Sequence, residues 1–215
     1  MCPDLVNLQA NQLPIEASYS NMVGHHFLKG STPNRRYVAG LGEGNTALLT
    51  ATTGPVVNTL YAMPIIISRT TTFDTICCEV TTLGSGSNVR LGIYNDTGAC
   101  YPNALLFDSG NISSASTGEK AATITSTIQT FTPGLYWLTY ENSATVPLIR
   151  CLPGAGTCIS ILGFASPFST TLPGIGYTVA HTVGALPNPY TASATIRTAV
   201  SAVGSPIPAV ALRAI

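Results

Sequence analysis

The sequence predicts an all-β protein: an antiparallel β-sandwich, jelly-roll-like, preceded by an extended N-terminal arm. From about Asn45 onward, short runs rich in Thr, Val, Ile and aromatic residues alternate with Gly, Pro, Asn and Ser at spacings near ten residues. This texture is typical of antiparallel sandwiches and barrels. No segment of twelve residues shows an apolar stripe of helical period, which argues against a helical domain. We therefore assign residues 1–44 to the arm and residues 45–215 to the sandwich.

The arm is predicted from the absence of pattern. Residues 1 to about 40 show neither strand nor helix periodicity and contain Pro3, Pro14 and Pro33, so the segment has no means of burying itself. Fully stretched, about 40 residues span roughly 130 Å, enough to cross a neighbouring subunit. Disorder in solution is the alternative, although the segment has more apolar residues than a simple solvated tail.

The strands are predicted from alternation and from turn residues. The candidate strands are residues 45–53, 57–67, 73–83, 88–95, 104–109, 119–128, 133–141, 145–151, 157–163, 176–183 and 207–213.

Two of these strands carry a clear facing pattern. In TTFDTICCEVTT, alternation places Ile76, Cys78 and Val80 toward the core with Asp74 on the same face, and Phe73 on the opposite face. In TPGLYWLTYEN, apolar side chains occupy both faces. A strand of that kind is covered on both sides, either centrally in the sandwich or against a neighbour.

The composition excludes several classes of partner. Charged residues make up 8% of the chain, against about 25% in ordinary soluble domains. Nine basic and nine acidic residues cancel, so no basic field gathers nucleic acid or holds the chain on an anionic membrane. A nearly neutral surface also gives little protection against self-association. We expect neighbouring copies or other proteins to cover much of it.

The sequence gives no sign of export or of a membrane span. The start MCPDLVNLQANQLPIEAS lacks a basic region followed by an apolar one, and no apolar run approaches the 18 or so residues of a transmembrane helix. The product is therefore expected to stay in the cytosol unless it leaves within an assembly or by lysis.

Residues that could support catalysis are few. No Asp or Glu follows Glu141, and a Ser-His-acid triad would have to use one of three histidines without any Gly-x-Ser-x-Gly elbow. His25 and His26 lack the spacing that puts two metal ligands on one face. We therefore predict no catalytic residue, no metal ion and no cofactor. A paired-carboxylate glycosidase, the remaining alternative, would draw on Asp74, Glu79, Asp96, Asp108, Glu119 and Glu141.

The stretch RLGIYNDTGACYPNALLFDSG, residues 90–110, gathers polar side chains around a glycine. Asn95, Asp96 and Thr97 before Gly98 resemble part of a calcium loop, but the ladder of acidic ligands and the distal bidentate Glu are absent. Asx residues also bond their own backbone in tight connections. The sequence favours a turn over an ion site.

The six cysteines are too sparse for a disulfide scaffold. Cys151 and Cys158 flank the hairpin-like stretch LPGAGT, so they could face each other across adjacent strands and close a short disulfide. Free buried thiols are the alternative in a protein made in a reducing cell.

Several collinear motifs resemble a β-sandwich domain of structural proteins from tailed bacteriophages and prophages. They span about residues 57–213 and read LYAMPIIISRTTTFDTICCEVTTLGSGSNVRLGIYNDTG, ALLFDSG, TGEKAATI, TPGLYWLTYE, GALPNPY and a terminal PAVALR. This domain is met at the ends of phage fibres and on tail or particle-surface proteins, and it brings no catalytic signature. Here it follows only a short arm, which disfavours a complete tail fibre and favours a compact piece that clamps onto a lattice.

The resemblance implies a virion structural protein that acts by binding alone, made in the host cytoplasm. The leading expectation is a capsid decoration (cement) protein on the outer surface of the head, bound to the major capsid protein or to other virion proteins. By analogy with the local threefold positions of capsid lattices, it would be a homo-oligomer and specifically a homotrimer. The predicted partner-binding residues of the arm are Leu5, Val6, Leu13, Ile15, Phe27, Arg35 and Arg36.

The alternative is a tail, baseplate or fibre-associated receptor-binding module. In that hypothesis, loops 95–103 or 184–190 present Tyr94, Tyr101, Tyr190 and Asn188 to a host surface glycan, since sugars stack on aromatic rings. A packing role for these tyrosines is the competing interpretation.

Overall fold

A computed structural model describes residues 35–41, 49–50, 54–124, 130–152, 161–163, 173–198 and 207–215. The described residues form strands and connections without a helix, and two antiparallel sheets pack face to face as a β-sandwich. The all-β class predicted from the sequence is confirmed. The strands are β1 (Arg36–Val38), β2 (Leu49–Thr50), β3 (Thr59–Ile67), β4 (Thr71–Thr82), β5 (Asn88–Asp96), β6 (Pro102–Ser113), β7 (Gly118–Thr123), β8 (Thr130–Phe131), β9 (Gly134–Asn142), β10 (Leu148–Cys151), β11 (Gly174–Ala180), β12 (Thr195–Thr198) and β13 (Ala211–Ala214).

The first sheet has seven strands and is built around β4. On one side of β4 lie β13 and β10, which in turn pair with β1 and β2. On its other side lie β7 and β8. Because β4 is twelve residues long, it has room for two partners along each edge.

The second sheet has six strands in the order β12-β11-β3-β9-β5-β6. Its central strand β9 pairs with β3 on one side and β5 on the other. The backbones of β11 and β3 approach each other closely at Gly176, where a Cβ would lie 2.2 Å from the carbonyl oxygen of Ala62.

The main core lies between the sheets. Ile76, Cys78 and Val80 point into it, as alternation predicts. The placement of Phe73 and Asp74 differs from the prediction: Phe73 is fully buried in the core, and Asp74 binds Arg213 outside it. The reason is a register shift.

That shift lies opposite the C-terminal strand. Arg213 faces Thr75 while Ala214 faces Phe73, so Asp74 has no opposite residue on β13. A bulge of this kind breaks the strict two-residue alternation. No single-strand pattern reveals such a break, because it depends on the partner strand.

A second apolar cluster covers the outer face of the six-stranded sheet. It contains Trp137 and Tyr94 from the sheet and Leu186 and Tyr190 from the segment that follows β11. On the inner face of β9, Leu138 and Tyr140 belong to the main core. The prediction that this strand is covered on both sides is confirmed.

The predicted boundary between arm and sandwich needs correction. Residues 36–38 pair with β13, and Tyr37 and Ala39 are buried in the main core, so the sandwich includes residues that the sequence assigned to the arm. Residues 1–34 lie outside the described part of the chain, and the extended arm stays a prediction, as does the jelly-roll-like arrangement. Among the described residues, no helix is long and apolar enough to cross a membrane.

Other strand predictions also differ from the structure. Strands β8 and β12 were not predicted, although β12 forms one edge of the six-stranded sheet. The predicted strand 157–163 lies largely outside the described residues, and its described part, residues 161–163, contains a turn.

Candidate functional site

The polar stretch between β5 and β6 forms a hydrogen-bonded turn. Asp96 Oδ2 accepts bonds from the backbone N–H groups of Gly98 (2.6 Å) and Cys100 (3.3 Å), and its Oδ1 accepts from Trp137 Nε1 (2.8 Å). Asn95 Oδ1 accepts from Ala104 N (2.7 Å). Because the Asp96 carboxylate already accepts three N–H groups, this arrangement is the turn that the sequence favours. Within the described residues, no group of three or more His, Cys, Asp or Glu side chains is placed to hold a metal ion.

Five aromatic rings collect beside this turn, on the outer face of the six-stranded sheet. Tyr94 and Tyr190 meet edge to face with centroids 5.2 Å apart, and Tyr101 meets Tyr177 at 4.7 Å. The ring centroids of Trp137 and Tyr177 lie 5.4 Å apart. Edge-to-face pairs of this kind add to the stabilisation that comes from burial alone.

The hydroxyl groups of these tyrosines fasten backbone segments to the sheet. Tyr94 donates to the carbonyl of Pro187 (2.8 Å), and Tyr101 donates to that of Thr191. Tyr190 donates in the opposite direction, to Leu60 O (3.3 Å). The segment 181–194, which we call the cover segment, is therefore held down by aromatic packing and hydrogen bonds together.

Two of the four residues predicted to form a sugar platform are buried. Tyr94 is 0% exposed and Tyr190 is 3% exposed, so neither offers a ring face to a ligand. Asn188 uses its side-chain oxygen to accept from Leu105 N (3.0 Å). Tyr101 is half-buried, and its ring packs against Tyr177 and Tyr190. The packing interpretation therefore applies to Tyr94 and Tyr190, whereas Asn188 lies within the cover segment and is exposed.

A group of charged side chains anchors the other part of the cover segment. Arg90 forms a bidentate ion pair with Asp108, with N–O distances of 2.6 and 2.7 Å. Asp108 Oδ2 also accepts from Leu186 N (3.1 Å). Beside them, Glu141 contacts His181 Nδ1 at 2.6 Å and accepts from Gly184 N at 3.4 Å.

Burial and hydrogen bonding shift the pKa values of Glu141 and Asp108 in opposite directions. The Glu141 side chain is 0% exposed, and this burial raises its pKa despite the nearby His181. Burial acts to raise the pKa of Asp108 as well, but the bonds from Arg90, Gly110 and Leu186 outweigh it, and the pKa is lowered. Both oxygens of each group already serve intramolecular bonds, so the cluster works as a structural clamp.

The remaining described carboxylates are paired in the same way. Asp74 binds Arg213, Glu79 binds Arg150 at 3.3 Å, and Glu119 binds Arg36, with one N–O distance of 2.9 Å. Every Asp and Glu side chain in the described part of the chain therefore has a partner within the same chain.

A groove crosses the outer face of the seven-stranded sheet between the last two of these ion pairs. It encloses about 170 Å³, with Cys77, Ala209 and Ala211 among its lining residues. Burial raises the pKa of the Cys77 thiol to about 11, so the thiol stays protonated at neutral pH and is a weak nucleophile. The groove therefore offers apolar contact rather than reactivity.

Cys151 is also a buried free thiol, and burial raises its pKa to about 12. Its predicted disulfide partner, Cys158, lies outside the described residues, so the pairing stays a prediction. Cys77 and Cys78 are free buried thiols, and Cys100 is a free thiol that is half-buried.

The predicted partner-binding residues fall into two groups. Arg35 is exposed at the start of the described chain, and Arg36 lies in β1, where its guanidinium binds Glu119. Arg36 is thus part of the sandwich and not of a free arm. The other predicted residues, Leu5, Val6, Leu13, Ile15 and Phe27, lie outside the described part of the chain.

The sequence did not predict that Arg90, Glu141 and His181 meet. A sequence signal exists for Glu141 alone, because alternation places it on the same face as Trp137. Its register partner on β5, Arg90, is known only from the structure. No comparable signal exists for His181, which reaches this site only because the chain turns back after β11.

No family model matches the sequence, and no curated protein matches it. The resemblance to phage structural proteins therefore depends on the short motifs alone.

Proposed function

We propose that this protein is a structural component of a bacteriophage particle: a capsid decoration protein that binds the outer surface of the head and stabilises it without catalysing a reaction. The observation that carries the proposal is that the polar side chains are bonded to other groups of the same chain. Each described carboxylate is bonded within the chain, and the buried Glu141 and Trp137 fasten a cover segment and a turn. Polar groups that are bonded in this way make the scaffold rigid, which suits a protein that acts by binding.

The nearly neutral composition supports binding by shape and apolar contact. Nine acidic and nine basic residues cancel, and ion pairs such as Arg90–Asp108 and Arg213–Asp74 neutralise charges locally. Association that depends on apolar contact is not weakened by salt, in contrast with binding to nucleic acid. Partners are then the major capsid protein and neighbouring copies of this chain.

In the proposed mechanism, arm and sandwich contact different capsid subunits. Separating those subunits then requires breaking the decoration contacts as well, which raises the temperature at which the head opens. The apolar arm residues Leu5, Val6 and Leu13 provide contacts on one subunit while the sandwich rests on the next.

Copy number tests the proposal directly. Particles would be purified and the molar ratio of this chain to the major capsid protein measured by quantitative mass spectrometry. Hundreds of copies per particle support decoration. A few dozen or fewer would move the protein to the tail, and its absence from particles would refute a structural role.

A second experiment tests the arm. Full-length protein would be added to heads lacking it, next to a variant with Leu5, Val6, Leu13, Ile15 and Phe27 changed to Ser. Reduced binding of the variant, with unchanged thermal unfolding of its sandwich, supports the mechanism. Equal binding of the variant and the wild-type protein would show that these arm residues do not contribute to the mechanism.

A further inference from the structure

The groove on the outer face of the seven-stranded sheet has room for one aromatic ring. It encloses about 170 Å³, and Val38, Cys77, Ala209 and Ala211 give its lining small apolar surfaces. An apolar cavity of about 150 Å³ holds one benzene molecule. A single phenyl side chain therefore matches the groove in both volume and polarity.

The charged side chains beside the groove are paired with each other. Arg36 binds Glu119, and Arg150 binds Glu79. Because two arginines face two glutamates, the walls carry no net charge and favour a ligand of neither sign.

The N-terminal segment joins the sandwich at this groove. Two of the lining residues, Arg36 and Val38, belong to β1, the first strand of the described chain. The carbonyl of Arg35 accepts a hydrogen bond from Ala214 N (3.1 Å), which fixes the point where residues 1–34 meet the sheet. A chain of 34 residues thus ends within a few residues of the groove.

The sequence before Arg35 suits a return to the groove. Residues 30–34 read GSTPN, a cluster of turn-forming residues, and Phe27 precedes them. The eight residues from Phe27 to Asn34 span at most about 28 Å when extended, so a turn brings the phenyl ring back over β1 and β13. Phe27 is the only phenylalanine of residues 1–34.

Two other phenylalanines outside the described residues, Phe164 and Phe168, belong to a connection of the opposite sheet. That connection leaves Gly163 and returns at Gly174, the first residue of β11, and Gly174 N donates to Gly163 O (2.8 Å). Both of its ends therefore lie at the six-stranded sheet, whereas the groove lies on the outer face of the seven-stranded sheet.

We infer that Phe27 packs into the groove beside Cys77 of its own chain and anchors the base of the N-terminal arm to the sandwich. The residues before Phe27, among them Leu5, Val6 and Leu13, are then the part of the arm that reaches a partner. Anchoring shortens the free arm, which reduces the conformational entropy lost when the arm binds. The inference concerns the isolated protein and does not depend on the proposed function.

A protease that cuts only after lysine tests the inference on the native full-length protein. The chain has only two lysines, and Lys120 in β7 is 8% exposed, so cleavage reports on Lys29. Phe27→Ser accelerates this cleavage about tenfold or more, because proteolysis follows the population of the undocked segment. The matched control Leu8→Ser leaves the rate unchanged.

Peptides of residues 20–34, with and without the substitution, correct for any direct effect of the Phe27 side chain on the protease. After that correction, equal cleavage of Phe27→Ser and the wild-type protein would overturn the inference.

Cross-linking gives a second and independent measurement. Because Cys77 lines the groove, Phe27→Cys forms a disulfide with Cys77 when copper phenanthroline is added as oxidant, whereas the control Leu8→Cys does not. Peptide mapping of the monomer identifies the link. A link found only between two chains would place Phe27 on a neighbouring copy and overturn the inference, as would the absence of any link to Cys77.

Discussion

Asp74 and Arg213 form a bidentate ion pair, with N–O distances of 2.8 and 2.7 Å, at the point where β4 and β13 change register. The carboxylate lies outside the core while its neighbour Phe73 is fully buried. The ion pair therefore occupies the position at which the bulge places two successive side chains on different sides of the sheet.

Asp74→Asn should reduce the free energy of unfolding at pH 7 by no more than about 1 kcal/mol, because both partners are partly exposed to water. The Arg213 bond lowers the pKa of Asp74. The stability that the ion pair contributes is therefore fully present above about pH 4, the ordinary pKa of an Asp side chain. It is lost as the pH falls through the lower pKa of Asp74 in the folded state. Urea unfolding at pH 7 and pH 3 should show the penalty shrinking in acid.

The double variant Asp74→Asn/Arg213→Gln supplies the control for this ion pair. If the carboxylate acts through Arg213, Asp74→Asn has almost no effect once Arg213 is replaced. A penalty of equal size at both pH values would contradict the assignment.

Glu141 should show the opposite pH dependence. Burial raises its pKa, so the folded state holds the proton more tightly than the unfolded state. The resulting stability is fully present below about pH 4.3, the ordinary value, and is lost as the pH rises through the folded-state pKa. The difference in unfolding free energy between wild type and Glu141→Gln should therefore be more favourable to wild type at pH 4 than at pH 7. A difference that stays constant with pH would show that Glu141 does not titrate in this way.

The strands could be predicted from the sequence because they depend on local patterns. The alternation around Ile76 and the apolar residues on both sides of β9 predicted buried faces that the structure shows. Turn residues such as Asn95 and Gly98 likewise indicated the connection between β5 and β6. In each case the physical cause lies within about ten residues of chain.

The remaining features depend on partners far away in the sequence. The bulge at Asp74 exists only in relation to β13, and β1 finds its place by pairing with that same strand. The cover segment has no periodicity, yet Leu186 and Tyr190 are buried because they pack on Trp137 and Tyr94. Sequence patterns do not encode such pairings, so the clamp of Glu141 and His181 could not be predicted.

Asp96 should be a structural residue of the turn between β5 and β6. Asp96→Ala removes the acceptor of three N–H groups, one of them on the buried Trp137, and we expect a loss of about 2–3 kcal/mol in the free energy of unfolding. Asp96→Asn, which keeps one side-chain oxygen, should lose less. Unfolding midpoints in urea measure both effects.

Calcium provides the control for the same residue. If the turn needs no ion, the wild-type melting temperature is the same in excess Ca²⁺ and in a chelator. A rise with Ca²⁺ that Asp96→Ala abolishes would indicate an ion site at this turn.

The buried thiols should react only when the protein opens. Burial raises the pKa of Cys77 to about 11 and that of Cys151 to about 12, so both are protonated at pH 8 and shielded from reagent. Alkylation followed by peptide mapping should label the half-buried Cys100 in the native protein and Cys77 and Cys151 only through the unfolding transition. Fast native labelling of Cys77 would contradict its burial.

The same peptide mapping tests the disulfide predicted from the sequence. A linked Cys151–Cys158 peptide in the unreduced protein would establish it.

Three glycines of the six-stranded sheet should differ sharply in their tolerance of a methyl group. At Gly176 a Cβ would lie 2.2 Å from the backbone carbonyl oxygen of Ala62, which a neighbouring strand holds in place. At Gly92 the obstacle is the side chain of Leu186, at 2.3 Å, together with Thr139 Oγ1 at 2.6 Å. We expect Gly176→Ala to cost about 3 kcal/mol in the free energy of unfolding, and Gly92→Ala about 1–2 kcal/mol, because a side chain moves more easily than a strand.

Gly134 provides the matched control for these two variants, since a Cβ there would meet only Tyr136 Cε2 at an ordinary 3.6 Å. Gly134→Ala should leave the unfolding free energy within about 0.5 kcal/mol of wild type or raise it slightly, because alanine reduces the freedom of the unfolded chain. Gly92→Ala should also increase amide hydrogen exchange in the cover segment 181–194, since displacement of Leu186 loosens the contact with the sheet. Equal losses at all three positions would show that the close approach of β11 to β3 and the seating of Leu186 on Gly92 do not limit packing in this sheet.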